Sequence, residues 1–272
     1  MTNITCRKTG EDGVSESIGF LLIFTMVIVG IGLVTLYGYP LLLQQQTSAD
    51  EQIMEKNMIV LQNDMKSLAY KTIPYKETML NIGGGSLTVY NTSSTPASSI
   101  MNIVDDITGN YYVNDFKSGD LRYYSTSAGV DISLQNGAVV MRKLVEPGSV
   151  MLAQPRWFYD GTTNTMVINL ISLNSTERIS RSGVGTVQMA MGETTFLPPV
   201  HPSSSVCLAF QPDTSLNGQD YSLAWDNYFV NTMKMIPGGG SCTNLNEYLL
   251  PFDYSRPTTL VIKKSDVVIT SL

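Results

Sequence analysis

GVSESIGFLLIFTMVIVGIGLVTLYGYPLLL, residues 13–43, sets how the rest of the chain is read. From Ile18 to Leu43 there is no charged residue, and from Ile18 to Leu36 the only hydroxyl side chains are Thr25 and Thr35. A helix needs about 20 apolar residues to cross the hydrocarbon core of a bilayer, so a membrane-spanning helix is predicted over about 18–43. A helix in the core of a soluble domain is usually shorter and flanked by caps. A cleaved secretory signal has an apolar region of about 7–15 residues followed by a small-x-small site. This run is longer and no such site follows it closely. Residues 39–52, YPLLLQQQTSADEQ, read as continuing helix, so the segment is expected to be retained.

The flanks give an orientation. Arg7 and Lys8 precede the run, and the first charges after it are Asp50 and Glu51. Basic residues stay on the cytoplasmic side while acidic ones count little, which puts the N-terminus inside and the C-terminal bulk outside the cell. Past the apolar run, Ile53, Asn57, Val60, Leu61, Met65 and Leu68 fall near a helical period, with charged and amide residues on the other face. Gly30, Gly32 and Gly38 soften the helix, Pro40 is expected to kink it, and Pro74 marks its stop. A helix from about Glu16 to Lys71 would be roughly 80 Å long, of which the bilayer takes about 30 Å. The remainder must pack on its own head domain or on neighbouring copies.

Beyond Ile73 the pattern turns to short β-rich runs. They lie at 86–90, 99–104, 121–125, 130–134, 138–143, 166–173, 184–191 and 206–211, with Asn136-Gly137 as a hairpin signal between two of them. Tyr221–Met235 lacks Gly and Pro and is predicted helical, its aromatics packing on the sheet. Leu260–Lys263 and Val267–Thr270 read as a final hairpin around Lys264-Ser265-Asp266. The fold class is therefore α+β: a long N-terminal helix over 14–73 and a β-rich, antiparallel, sandwich-like head over 74–272. Residues 91–99, NTSSTPASS, read as an exposed polar loop.

The chain has 272 residues and a net charge of −6. That acidic balance with few Lys and Arg argues against a nucleic-acid partner. Of the three cysteines, Cys6 lies before the apolar run, while Cys207 and Cys242 lie in the head. An oxidising exterior favours a Cys207–Cys242 disulfide; two buried thiols are the alternative that spacing leaves open. Asn91-Thr92-Ser93 and Asn174-Ser175-Thr176 are glycosylation sequons on the outer side. Asn3-Ile4-Thr5 fits the same pattern but would be inaccessible.

No catalytic, cofactor or metal site is read from the sequence. His201 stands alone between prolines, and Ser203, Ser204 and Ser205 beside it form no G-x-S-x-G elbow. Asp105-Asp106 and Asp115–Asp120 lack the ligand spacing of a calcium loop and read as solvated turns. The glycine triplets at 83–85 and 238–240 lack the Lys and Ser/Thr of a phosphate loop. Paired tyrosines at 111–112 and 123–124, with Tyr159, read either as a sticky surface or as ordinary strand alternation.

Gly13 followed by Val14-Ser15-Glu16-Ser17-Ile18-Gly19 and an apolar helix resembles the N-terminus of archaeal type IV pilin-like proteins with a class III signal peptide. The V-S-E-S-I-G form looks most like methanogen proteins of unassigned function. The resemblance rests on about the first 40 residues. It implies a leader at 1–13 and cleavage between Gly13 and Val14 by a membrane prepilin peptidase on the cytoplasmic side. The helix would then leave the lipid and bundle with copies of itself, apolar helices replacing lipid contacts, with Glu16, Ile18 and Gly19 at the assembly end. Glu16 would neutralise a neighbour's new α-amino group, or simply complement the helix dipole. The expected function is a non-enzymatic, pilin-like subunit of a surface filament, with itself, the peptidase and membrane lipid as partners and no cofactor. The rival reading is a monomeric, membrane-anchored surface binding protein or adhesin. An anchored hydrolase ranks third, because no histidine cluster or nucleophile motif supports it.

Overall fold

The computed structural model describes residues 12–71, 73–93, 99–176, 179–212, 221–239, 242 and 246–272, with side chains from Ser17 onward. The leader, with Cys6, Arg7, Lys8 and the Asn3 sequon, lies outside the described residues, as do 94–98 of the polar loop. The chain divides into two compact units, Met1–Ala49 and Asp50–Leu272.

Helix α1 spans Asp12–Leu33, a π-helical turn covers Val34–Gly38, and α2 spans Tyr39–Lys71. The backbone is helical throughout from Ser17 to Lys71, 55 residues. Pro40 explains the π turn. Proline has no N–H and its ring crowds the carbonyl four residues back, and a π turn is one way for a helix to absorb such a break. Here the Tyr39 N–H bonds to the Val34 carbonyl, five residues back.

In the second unit the strands are β1 (Tyr75–Asn81), β2 (Ser86–Tyr90), β3 (Ile100–Asp105), β4 (Tyr111–Lys117), β5 (Asp120–Ser125), β6 (Val130–Gln135), β7 (Ala138–Lys143) and β8 (Ser149–Ala153). They continue as β9 (Phe158–Asp160), β10 (Thr165–Ser175), β11 (Ser180–Arg181), β12 (Val184–Phe196) and β13 (Val206–Gln211). After α3 (Ser222–Asn227) and a second π turn (Tyr228–Thr232) come β14 (Ile236–Pro237), β15 (Glu247–Leu249) and β16 (Thr259–Ser271). They form three sheets: β1-β12-β16-β10-β9, β11-β2-β5-β6-β7-β8, and β14-β15-β13-β3-β4. The β6–β7 hairpin turns at Asn136-Gly137, both at positive φ as the Asn-Gly signal requires.

Two hydrophobic cores hold this unit. In the first, Met54, Met58, Leu61 and Met65 of α2 lie against Leu121, Tyr123, Ile132 and Leu134 of the second sheet and Val187 and Ile269 of the first sheet. In the other, Trp157, Phe210, Trp225, Tyr228, Phe229 and Tyr248 pack with Ile168, Leu208 and Ile262. The predicted aromatic helix at 221–235 thus packs on sheet, as α3 and its π turn.

Three expectations need correction. The final hairpin does not form: β16 is one strand of 13 residues. Lys264-Ser265-Asp266 contains no residue at positive φ, so the chain stays extended and changes face instead. Leu260 and Ile262 enter one core, Val267 and Ile269 the other. The head is not wholly antiparallel, because β16 pairs in parallel with β10 from Thr165↔Thr259 to Ser175↔Ile269. β10 also serves both cores, with Ile168 and Leu170 in one and Ile171 and Leu173 in the other. Finally, Asp105 and Asp120 are buried rather than solvated. The tight turn before β5 depends on Gly119, at φ +60°, where a Cβ would lie 2.1 Å from the Leu173 carbonyl oxygen.

Candidate assembly surface

The sequence-predicted processing and assembly residues all fall on α1. Gly13, Val14 and Glu16 lie in its first turns, and Ile18 and Gly19 follow. None of the residues from Ser17 to Ala49 is buried. Phe20, Met26 and Leu36 are each more than 70% exposed, and exposure runs around the whole circumference. A helix that is apolar all round belongs in a buried environment. The few polar groups are already satisfied locally: the Thr25 hydroxyl bonds to the carbonyls of Leu21 and Leu22, both at 2.9 Å, and the Thr35 hydroxyl to that of Ile31 at 2.9 Å. Such back-bonding removes the cost of leaving a hydroxyl unpaired in an apolar medium. Phe20 and Phe24 stack one turn apart, ring centres 6.1 Å apart. Space is open around Gly19, Gly30 and Gly32, where an added Cβ would meet nothing within 4 Å; small residues of this kind let helices approach closely.

From Asp50 onward α2 is one-sided. Met54, Met58, Leu61, Met65 and Leu68 are buried. Polar side chains along it reach the head: Gln62 Nε2 donates to the carbonyls of Gly137 (2.7 Å) and Gln154 (3.0 Å), and Lys66 Nζ to that of Gln154 (2.9 Å). Nothing in the period of the sequence marks Gln62 as a buried residue; a lone amide on an apolar stripe is the one signal it leaves.

On the head, Cys207 and Cys242 form the disulfide, Cα to Cα 5.7 Å. The two sequons come together and clamp each other. Asn91 Nδ2 donates to the Ser175 carbonyl (2.9 Å), while Asn91 Oδ1 accepts from the Ser175 N–H (2.7 Å). Asn174 Oδ1 in turn accepts from the Thr92 N–H (3.2 Å) and hydroxyl (2.8 Å). Backbone donors fix both amide orientations, so the Asn91 nitrogen that a glycan would take is already bonded. The tyrosine pairs follow strand alternation, Tyr123 buried and Tyr124 exposed.

The second sheet has a charged face opposite the helix. Arg122 Nε and Nη2 donate to Asp120 Oδ2 at 2.9 and 2.6 Å, and Arg142 Nε and Nη2 to Asp131 Oδ2 at 3.1 and 2.6 Å. Ser133 also donates to Asp120 Oδ2, and the Tyr221 hydroxyl to Asp131 Oδ1 at 2.7 Å. Burial pushes the Tyr221 hydroxyl well above its ordinary pKa, and the Asp131 carboxylate adds to it. Burial alone would lower the pKa of Arg122, but the charges of Asp120 and Asp131 outweigh it and hold the guanidinium protonated. Asp105 is a second polar centre. Although burial works against its charge, its carboxylate accepts from the Thr108 and Ile107 N–H groups and from the hydroxyls of Ser204 and Tyr112. The pKa falls to about 2. His201 Nδ1 pairs with the Thr258 carbonyl at 2.9 Å, and Ser204 is engaged with Asp105, so these two residues form no hydrogen-bonded dyad.

No curated protein and no solved structure matches the chain. Residues 13–230 match a family described as a family of unknown function, DUF7289. The match begins at the glycine that precedes the apolar helix and extends through α3, which covers most of the chain: the protein belongs to this family of unknown function, DUF7289.

Proposed function

We propose that the protein is a structural, non-enzymatic subunit of a surface filament. It enters the membrane as a precursor through the helix that starts near Ile18, with the N-terminus cytoplasmic and the head outside. A prepilin peptidase cuts between Gly13 and Val14. The mature helix then leaves the lipid and packs against the helices of other copies.

One observation carries this reading. The helical backbone continues from Ser17 to Lys71, and among the described residues of its apolar part none is buried. Lipid satisfies such a surface in the precursor, and neighbouring helices satisfy it in the polymer. The open space around Gly19, Gly30 and Gly32 suits close helix approach. Glu16 sits in the first turns of α1, where it would meet the new α-amino group of a neighbour.

Intact-mass and N-terminal sequencing of the surface-exposed protein test the processing step. The expected N-terminus is Val14. A surface protein that keeps Met1 overturns the reading. Glycan mass at the Asn91 and Asn174 peptides is read in the same experiment.

A further inference from the structure

At the C-terminal end of α2, a cavity of about 490 Å³ opens between the helix and the first sheet. Its walls are mainly apolar: Leu68, Ala69, Ile73, Pro74, Met191 and Phe196. Tyr70, Thr194 and Lys263 complete the lining. This size and composition, apolar with a few convergent polar groups, is that of a small-molecule site.

The charge around it is one-signed. Lys263 Nζ lies over the ring of Tyr70 at 5.1 Å and over that of Phe196 at 4.8 Å, and it donates to the Ala69 carbonyl at 2.6 Å. Arg156 stacks on the same Tyr70 ring at 4.8 Å. Lys66 stands one helical turn before Tyr70. Among the described residues none of these three cations has a carboxylate within ion-pairing distance, although the chain as a whole is acidic. Burial, reinforced by the charge of Arg156, lowers the pKa of both Lys66 and Lys263, which says that the cluster holds its charge at a cost. The hydroxyl oxygen of Thr194, on the cavity wall, is buried with no hydrogen-bond partner among the described residues. An apolar cavity with the Lys263 ammonium on its wall, and no carboxylate paired with that ammonium among the described residues, is complementary to one kind of ligand: an apolar body ending in an anion.

We propose that this cavity binds a small carboxylate amphiphile, its alkyl or aryl body against Met191, Phe196 and Ile73 and its carboxylate at the Lys263 ammonium on the cavity wall. The site lies wholly in the second unit and does not depend on filament assembly. A filament subunit or a monomeric anchored protein would carry it equally.

The test uses the full chain in nanodiscs of zwitterionic lipid, with para-trifluoromethylbenzoate as probe and para-trifluoromethylbenzyl alcohol as its neutral isostere, both followed by fluorine NMR. The benzoate is expected to bind saturably and at least about tenfold more tightly than the alcohol, which corresponds to about 1.4 kcal/mol. Lys263→Gln is expected to weaken the benzoate by about fivefold and to leave the alcohol unchanged, since it removes the cation on the cavity wall; Arg156→Gln, an exposed charge outside the lining, is expected to weaken it by less. Lys263→Arg keeps a cation that can still donate to the Ala69 carbonyl and is expected to retain benzoate binding, which separates loss of charge from loss of fold if Lys263→Gln unfolds. Equal binding of acid and alcohol, benzoate affinity unchanged in a folded Lys263→Gln, or no saturable binding overturns the proposal. The first of these results assigns the cavity to an uncharged apolar occupant.

Discussion

The two parts of the long helix, on either side of Ala49, obey different rules. From Ser17 to Ala49 apolar side chains point in every direction and none is buried. From Asp50 to Lys71 burial is confined to one stripe, where Met54, Met58, Leu61 and Met65 are fully buried while Ile53 and Val60 stay exposed. The backbone is nearly the same; the solvent that each part requires is not. The second part finds its apolar partner inside the chain, in the sheet it covers. The first part buries none of its described residues, and on the reading proposed above lipid or other copies supply its environment.

The comparison breaks if the two parts respond alike to mutation. Leu61→Ala is expected to lower the unfolding free energy of the head by about 3 kcal/mol, as for a buried leucine whose site collapses only in part. Val27→Ala is expected to leave head stability unchanged. Chemical denaturation followed by tryptophan fluorescence reads both, because Trp157 and Trp225 lie in the head core.

The reverse asymmetry holds for charge. Val27→Lys, in the apolar part, should disfavour membrane insertion by about 2.5–3.5 kcal/mol and release the protein on carbonate extraction. Asn63→Lys, at an exposed position of the second part, should not. Release by both, or by neither, removes the distinction.

Acid sharpens the contrast, because Ile18–Leu43 holds no acidic or basic group while the head depends on buried carboxylates. The Asp105 carboxyl is held at about 2 by its hydrogen bonds, against about 3.9 in an unfolded chain. A depressed folded pKa means stability that is complete above about pH 4 and is lost as pH falls toward about 2. Asp105→Ala should therefore cost about 2 kcal/mol at neutral pH, and the gap from the parent should narrow across that acid window. A gap that stays constant with pH would assign the loss to packing alone. The smallest effect is expected at the sequon clamp: Asn91→Ala removes the pairing with Ser175 and should cost the head about 1 kcal/mol, again by denaturation, with no change in membrane association.

Local patterns made much of this legible. The uncharged run forecast the helix, alternation forecast β2, β7 and β13 at their observed bounds, and Asn136-Gly137 forecast its turn. The face that α2 buries was legible only in part: Leu61, Met65 and Leu68 are buried as the period predicts, but Ile53 and Val60 are exposed, and Met54 and Met58 are buried in their place. What escaped was set by tertiary partners. Lys264-Ser265-Asp266 looked like a turn because polar residues interrupt two apolar runs, yet the interruption marks the point where β16 passes from one core to the other. Its parallel pairing with β10, across nearly a hundred residues of chain, leaves no local trace. Asp105 and Asp120 read as solvated turn residues; Ser204 reaches Asp105 from nearly a hundred residues away, and while Arg122 is only two residues from Asp120, the burial of that pair is set by the packing around it. The cations at the Tyr70 ring are equally scattered in sequence, at 156 and 263, and only the fold brings them together.

The most direct test of the assembly claim is to shear appendages from the cell surface, image them by electron microscopy and identify their protein by mass spectrometry. If the exposed apolar half of the helix is an assembly surface, this chain is a principal component of the filaments, begins at Val14, and has residues 18–43 bundled along the filament axis. Filaments that lack the chain, with the protein left as a monomer in the membrane fraction, would contradict the account.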